Sequence, residues 1–225
     1  MVADVRSTKG SRAGRIAWSV VTVLACAHFA LSYATNHRQF LDLARYADGL
    51  ERTPYQYRVL MAWVLKLLGE NPAVGRLAHV FPGDLKAPYV FVEMGLAFLA
   101  LLGAVLATRR SLRILSGHDA FSAWASLLVV YMAQFQFNLS YGLNYVLPYD
   151  LPSVFFFCLA LLGIVSKSRT LFYAAFVVGT LNRETMVFAV VPFAVWGLYE
   201  ASGERIEKGW GRVLPHVVGQ LLLWV

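Results

Sequence analysis

Five charged residues interrupt the long apolar runs of this chain: Asp42, Arg58, Asp150 and the adjacent Arg183 and Glu184. A charge at or near hydrocarbon depth is costly and marks a functional site by default. Asp42, just beyond a first apolar run, has the placement of a general base toward an acceptor hydroxyl. Arg58, at the start of an apolar helix, can hold a phosphate through bidentate hydrogen bonds. Arg183 suits an anionic ligand, with Glu184 orienting it or contacting hydroxyls. Tyr46, Tyr57, Tyr149, Asp150 and Asn182 complete the candidate substrate-binding set.

Each residue also has a plainer reading. Asp42 is equally a solvated loop acid or a helix cap, and Asp48 before Gly49 resembles a helix end. Arg58 could contact a lipid headgroup, and Arg183 could neutralise Glu184 as a structural pair. The tyrosines between 141 and 149 fit an interfacial aromatic belt. Asp150, ahead of Pro152, is well placed to cap a helix whose first turn tolerates proline. Glu93, His28 and His216 are expected to be satisfied by internal partners.

The elements that must position these groups are helices in a membrane. The 225 residues are 58% hydrophobic and 15% charged, against about 45–50% and about 25% in soluble domains. The net charge of +7 is scattered, without a basic patch or RNA-binding aromatics, which excludes a nucleic-acid partner. Cys26 and Cys158 lie inside apolar runs with no metal or redox spacing. Apolar runs at roughly 16–35, 87–107, 119–138, 151–166, 169–182, 185–200 and 213–225 predict an all-α, multi-pass bundle of about seven spans. The first run reads as an uncleaved helix after a 1–15 cytoplasmic tail, because it is close to spanning length. Residues 16–225 form the membrane module, and 36–86 form an extracytoplasmic loop with interfacial helices. In that loop, positions 59, 60, 63, 64, 67 and 68 make a helical apolar stripe that stops at Gly69, with Trp63 and Lys66 as anchors.

Short loops carrying Arg109, Arg110, Arg113, Lys167 and Arg169 put the N-terminus in the cytoplasm and the candidate site outside. The run 151–166 extends only about 24 Å, against a hydrocarbon core of about 30 Å. Asp150 and Asn182 to Glu184 should therefore line a recess below the membrane surface. The last run ends at Val225 without flanking polar residues, which suggests an unusual final helix or a chain truncated at its C-terminus.

Taken in order, these pieces resemble the C-type glycosyltransferases, multi-pass enzymes that use polyprenyl-phosphate-linked sugars. Asp42 followed by Tyr46-Ala47 matches the first outer loop. Pro54 to Gly69 matches the aromatic-proline segment leading into an interfacial helix. Asp150-Leu151-Pro152 ahead of Phe155-Phe156-Phe157 matches the opening of a later span, and Leu181-Asn182-Arg183 with Val191-Pro192 takes the place of a further motif. The resemblance covers about 16–200. It implies an inverting sugar transfer to an extracytoplasmic acceptor in a bacterial inner membrane, with Asp42 as base and basic residues on the lipid phosphate. Membrane lipid is then the other partner. No cofactor is implied. Where the family commonly has an acidic pair, the chain has Asp42-Leu43, so divalent metal use stays open. Arg183 stands where a lysine is usual. A transporter or flippase for an anionic lipid or solute, or a non-catalytic membrane scaffold, would use the same features.

Overall fold

The computed structural model describes residues 12–35, 41–53, 58–139, 147–200 and 206–224. Among them every regular element is helical. Three stretches are long and apolar enough to cross a membrane: Arg12–Thr35, Pro88–Ser116 and Asp119–Leu139. The first is α1 and the second α5; the third is built from α6 (Asp119–Ser126), α7 (Leu128–Ala133) and a π-helical turn, Gln134–Leu139. At 24 and 29 residues, α1 and α5 reach about 36 and 43 Å. The other expected spans are shorter helices. They are α8 (Asp150–Val165), α9 (Arg169–Asn182), α10 (Val190–Glu200) and α11 (Ile206–Trp224), whose apolar part is Val213–Trp224.

The α1–α5 interface is built from small and aromatic side chains. Cys26, Ala30, Ala97, Ala100 and Leu101 are buried with Phe29 and Tyr33 in one cluster. In a bilayer, association relies on close packing and polar contacts rather than on exclusion of water, and small residues permit that approach. One end of the interface is tied by charge. Trp18 donates its indole N–H to the Ala123 carbonyl at 2.6 Å, Arg109 lies 4.0 Å over the Trp18 ring, and Asp119 accepts from Arg109 at 3.2 Å. At the other end Tyr33 Oη donates to the Leu147 carbonyl at 3.2 Å and accepts from the Leu147 N–H at 3.1 Å.

Between α1 and α5 lie α2 (Leu43–Ala47), α3 (Val59–Gly69) and α4 (Pro72–Ala78), followed by a 3-10 turn, Gly83–Lys86. The helix expected after Arg58 forms and ends as expected at Gly69, but it turns a different face inward. Met61, Ala62, Leu65 and Gly69 are buried, while Trp63 and Leu67 are exposed. The helix is apolar nearly all round, so the stripe read from positions 59 to 68 did not fix the packed face.

The α8–α9 hairpin brings backbone close against backbone. A Cβ added to Gly163 would sit 2.6 Å from the Phe172 backbone nitrogen and 2.8 Å from its Cα. Backbone cannot yield as a flexible side-chain tip can, so Gly163→Ala forces the helices apart. We expect it to cost about 1–3 kcal/mol, read as a lower melting temperature in detergent. An unchanged melting temperature would show that the hairpin does not depend on this close approach.

Candidate functional site

The segment before α2 places Asp42 at the helix N-cap, where its Oδ1 accepts from the Ala44 and Arg45 N–H groups at 3.0 and 3.2 Å. The carboxylate is exposed and stabilises the helix start, while Oδ2 takes neither of these bonds. One turn on, Tyr46 is fully buried and its hydroxyl donates to the Arg58 carbonyl at 2.6 Å. Burial pushes the Tyr46 phenol well above its usual value, so it remains a neutral donor. Asp48 and Gly49 close the helix as expected, with Gly49 at φ +70°, and Lys66 binds Asp48 at 2.8 Å.

Arg58 follows in space as it does in sequence. It is 8% exposed, and its guanidinium lies 4.2 Å over the ring of Tyr149. Its Nη2 donates to Glu184 Oε1 at 2.7 Å. Arg183 approaches the same ring at 5.6 Å, and its Nη1 donates to Asp150 Oδ1 at 2.5 Å. Two guanidinium groups therefore face one buried tyrosine, each matched by one carboxylate. Desolvation raises the Glu184 carboxyl, but the Arg58 hydrogen bond and the two guanidinium charges together hold it below the ordinary range.

Two of the plainer readings do not hold here. Arg183 and Glu184 do not neutralise each other. Arg183 has extended backbone, φ −162° and ψ 136°, and extended chain sends successive side chains to opposite sides. Arg183 therefore meets Asp150 while Glu184 meets Arg58. Asp150, for its part, is not the cap of α8. Tyr149 occupies the cap position, and Asp150 is the first helical residue, where a carboxylate also complements the helix dipole. Pro152 sits in that first turn, as expected.

Asn182 locks the two helix ends together. It is fully buried, and its Nδ2 donates to the Tyr149 carbonyl at 2.9 Å and to Ser153 Oγ at 2.8 Å. Trp224, at the end of α11, donates its indole N–H to the Glu184 carbonyl at 2.7 Å. Tyr46, Arg58, Tyr149, Asp150, Asn182, Arg183 and Glu184 thus form one connected cluster. Asp42 caps α2, which supports that cluster through Tyr46, and its carboxylate is engaged in that capping. Tyr57 lies outside the described residues. Among the internal-partner expectations, His216 Nδ1 bonds Tyr173 Oη at 2.8 Å and Glu93 is buried, whereas His28 is exposed.

Beside the cluster runs a cavity of about 360 Å³. Ser153, Arg183 and Thr185 supply its polar lining; Val154, Phe157, Cys158, Met186 and Phe188 supply the apolar part. Arg183 Nε is buried with no acceptor among the described residues. Sequence reasoning missed Ser153, Thr185 and Trp224. Ser153 stands three residues after Asp150 and so shares its helix face, a signal that was present but looked like an ordinary helical serine. What the arrangement can do is hold an anion against Arg183, with Arg58 behind it on the Tyr149 ring, while an apolar tail lies along the groove. No protein-family model, curated protein or solved structure matches the chain.

Proposed function

We propose that this chain is an integral membrane protein that recognises a lipid-linked phosphate and transfers the sugar it carries to an extracytoplasmic acceptor. The observation that supports the reading best is the continuity of two cations with a greasy trough. Arg58 and Arg183 stack on Tyr149, and Arg183 also lines the groove containing Phe157, Met186 and Phe188. A polyprenyl phosphate has the matching form, a charged head on an apolar chain. Charge grows on the phosphate oxygen as the sugar leaves, and cations fixed in advance in a water-poor site stabilise that charge. An incoming phosphate would exchange with Asp150 and Glu184 for the guanidinium donors.

The reaction is a direct displacement with inversion. The acceptor oxygen forms a bond to the anomeric carbon, the bond from that carbon to the phosphate oxygen breaks, and the acceptor proton goes to Asp42. In this reading α8 to α11 supply the further crossings of a seven-span bundle with a cytoplasmic N-terminus. Membrane translocation of an anionic lipid is the second reading, favoured by the 16- and 14-residue lengths of α8 and α9, which suit discontinuous helices around a midplane site. Uptake into vesicles without sugar transfer would select it.

Asp42→Asn tests the assignment of the base cleanly. Asparagine caps helices about as well as aspartate, so α2 survives while the proton acceptor is lost. Membranes carrying this variant are expected to lose at least about a hundredfold in transfer from a radiolabelled polyprenyl-phosphate sugar, with normal melting. Undiminished transfer would leave Asp42 as a cap only.

A further inference from the structure

The α8–α9 hairpin carries a second cavity at its other end, and we propose that it binds an anionic phospholipid from the leaflet opposite the Arg58–Arg183 cluster. This inference is independent of the reaction proposed above. The cavity has a volume of about 360 Å³ and lies where α8 ends, α9 begins, and α10 and α11 pack across them. That volume is within the range of about 300–1,000 Å³ typical of small-molecule sites. Ile164, Phe172, Phe193 and Trp196 form its walls, and Lys167, Arg169 and Glu200 stand at its rim.

The rim is built with a strained residue. The Ser168 N–H bonds the Gly163 carbonyl at 2.8 Å and the Lys167 N–H bonds the Ile164 carbonyl at 3.0 Å. This pattern ends a helix with its last residue in the left-handed region, a place normally held by glycine. Lys167 occupies it at φ 57°, the one non-glycine residue with positive φ among the described residues. A side chain is kept where backbone preference argues against any, and that side chain is an ammonium. Its Nζ holds Glu200 Oε1 at 2.7 Å. Arg169, two residues on, is exposed and has no carboxylate partner among the described residues.

The wall provides complementary groups. Trp196 Nε1 is buried without an acceptor among the described residues. His216, also in the lining, is held by Tyr173 Oη at 2.8 Å. A phosphodiester supplies acceptor oxygens for Arg169 and, in exchange with Glu200, for Lys167. Its acyl chains would lie on the exposed apolar flank of α10 and α11, where Val195, Leu214 and Val218 face outward. Glycerol phosphate alone leaves the aromatic wall unfilled, and a zwitterionic lipid brings a second cation against Arg169. Basic pockets between membrane helices recognise anionic headgroups on these grounds.

The test uses the full chain in neutral detergent, read by native mass spectrometry and by melting temperature. The probes are dioleoyl phosphatidylglycerol, dioleoyl phosphatidylcholine and glycerol 3-phosphate. Phosphatidylglycerol is expected to be retained and to raise the melting temperature, with retention of phosphatidylcholine weaker by about tenfold and no retention of glycerol 3-phosphate. The double variant Lys167→Gly with Arg169→Gln is expected to lower phosphatidylglycerol retention by about tenfold. Its lipid-free form should melt no lower than wild type, because glycine suits the strained position. Arg183→Ala is expected to leave the retention unchanged. Equal retention of both lipids, binding of glycerol 3-phosphate, or undiminished retention by the double variant overturns the proposal. Loss of retention in Arg183→Ala also overturns it, because the lipid would then occupy the other cavity. If the double variant does not fold, Arg169→Gln alone decides, and retention at the wild-type level counts against the site.

Discussion

Arg183→Ala is expected to lower sugar transfer from a polyprenyl-phosphate donor by about a hundred- to a thousandfold, the range seen when one fixed donor to a developing anion is removed. Arg183 earns this weight from three contacts. It faces Tyr149, it lines the groove, and its Nη1 binds Asp150 at 2.5 Å. Removing it also strands Asp150, which is 9% exposed at the start of α8. An orphaned charge destabilises by several kcal/mol when deeply buried. The Arg183 side chain keeps 31% of its surface exposed, so a cost of about 2 kcal/mol is the fitting magnitude. Folding and function can be separated by adding Asp150→Asn. The double variant should recover most of the melting temperature while transfer stays lost. Transfer recovered along with stability would mean that Arg183 only holds the fold. Arg183→Lys should keep part of the activity, because the charge remains but the two-pronged geometry does not.

Tyr149→Ala is the second large effect, and it acts on stability. The ring is fully buried, packs 6.3 Å from Tyr46 and carries Arg58 at 4.2 Å on its face. Truncating a buried aromatic to alanine costs about 3–5 kcal/mol from lost contacts and the hole left behind. Here it also removes the surface on which a nearly buried guanidinium rests. Tyr149→Phe keeps the ring and both cation contacts, so it should cost about 1 kcal/mol or less. The comparison is made by thermal denaturation in detergent. A Tyr149→Ala protein melting within a degree or two of Tyr149→Phe would show that the ring is not the keystone of the cluster.

The chemistry-bearing residues were more legible than their partners. Costly charges in an apolar chain pointed to Arg58, Asp150, Arg183 and Glu184, and these four do meet around Tyr149. The pairing between them was not legible. Neighbours in sequence suggested Arg183 with Glu184, and only the extended backbone at Arg183 reveals the exchange of partners. For Asp42 the sequence suits both a cap and a base, and its hydrogen bonds to the Ala44 and Arg45 N–H groups establish the cap. Helices were readable from apolar length, but crossings were not. Three stretches reach spanning length, while α8, α9 and α10 fall short of it. The packed face of α3 was hidden because Trp63 and Leu67 are as apolar as the buried Met61 and Leu65, and periodicity is informative only where the two faces differ.

In the seven-span arrangement proposed above, the Gly163–Phe172 contact bears on how the chain would enter a membrane. Neither α8 nor α9 is long enough to be threaded through the bilayer and released there by itself. The turn joining them brings backbone against backbone at its closed end, so the two segments can zip together as they emerge from the ribosome. They should then partition into lipid as one paired unit, with Asp150 and Arg183 already neutralising each other at the open end. A bulkier residue at 163 would hinder this co-insertion during synthesis, well before any finished protein could be unfolded.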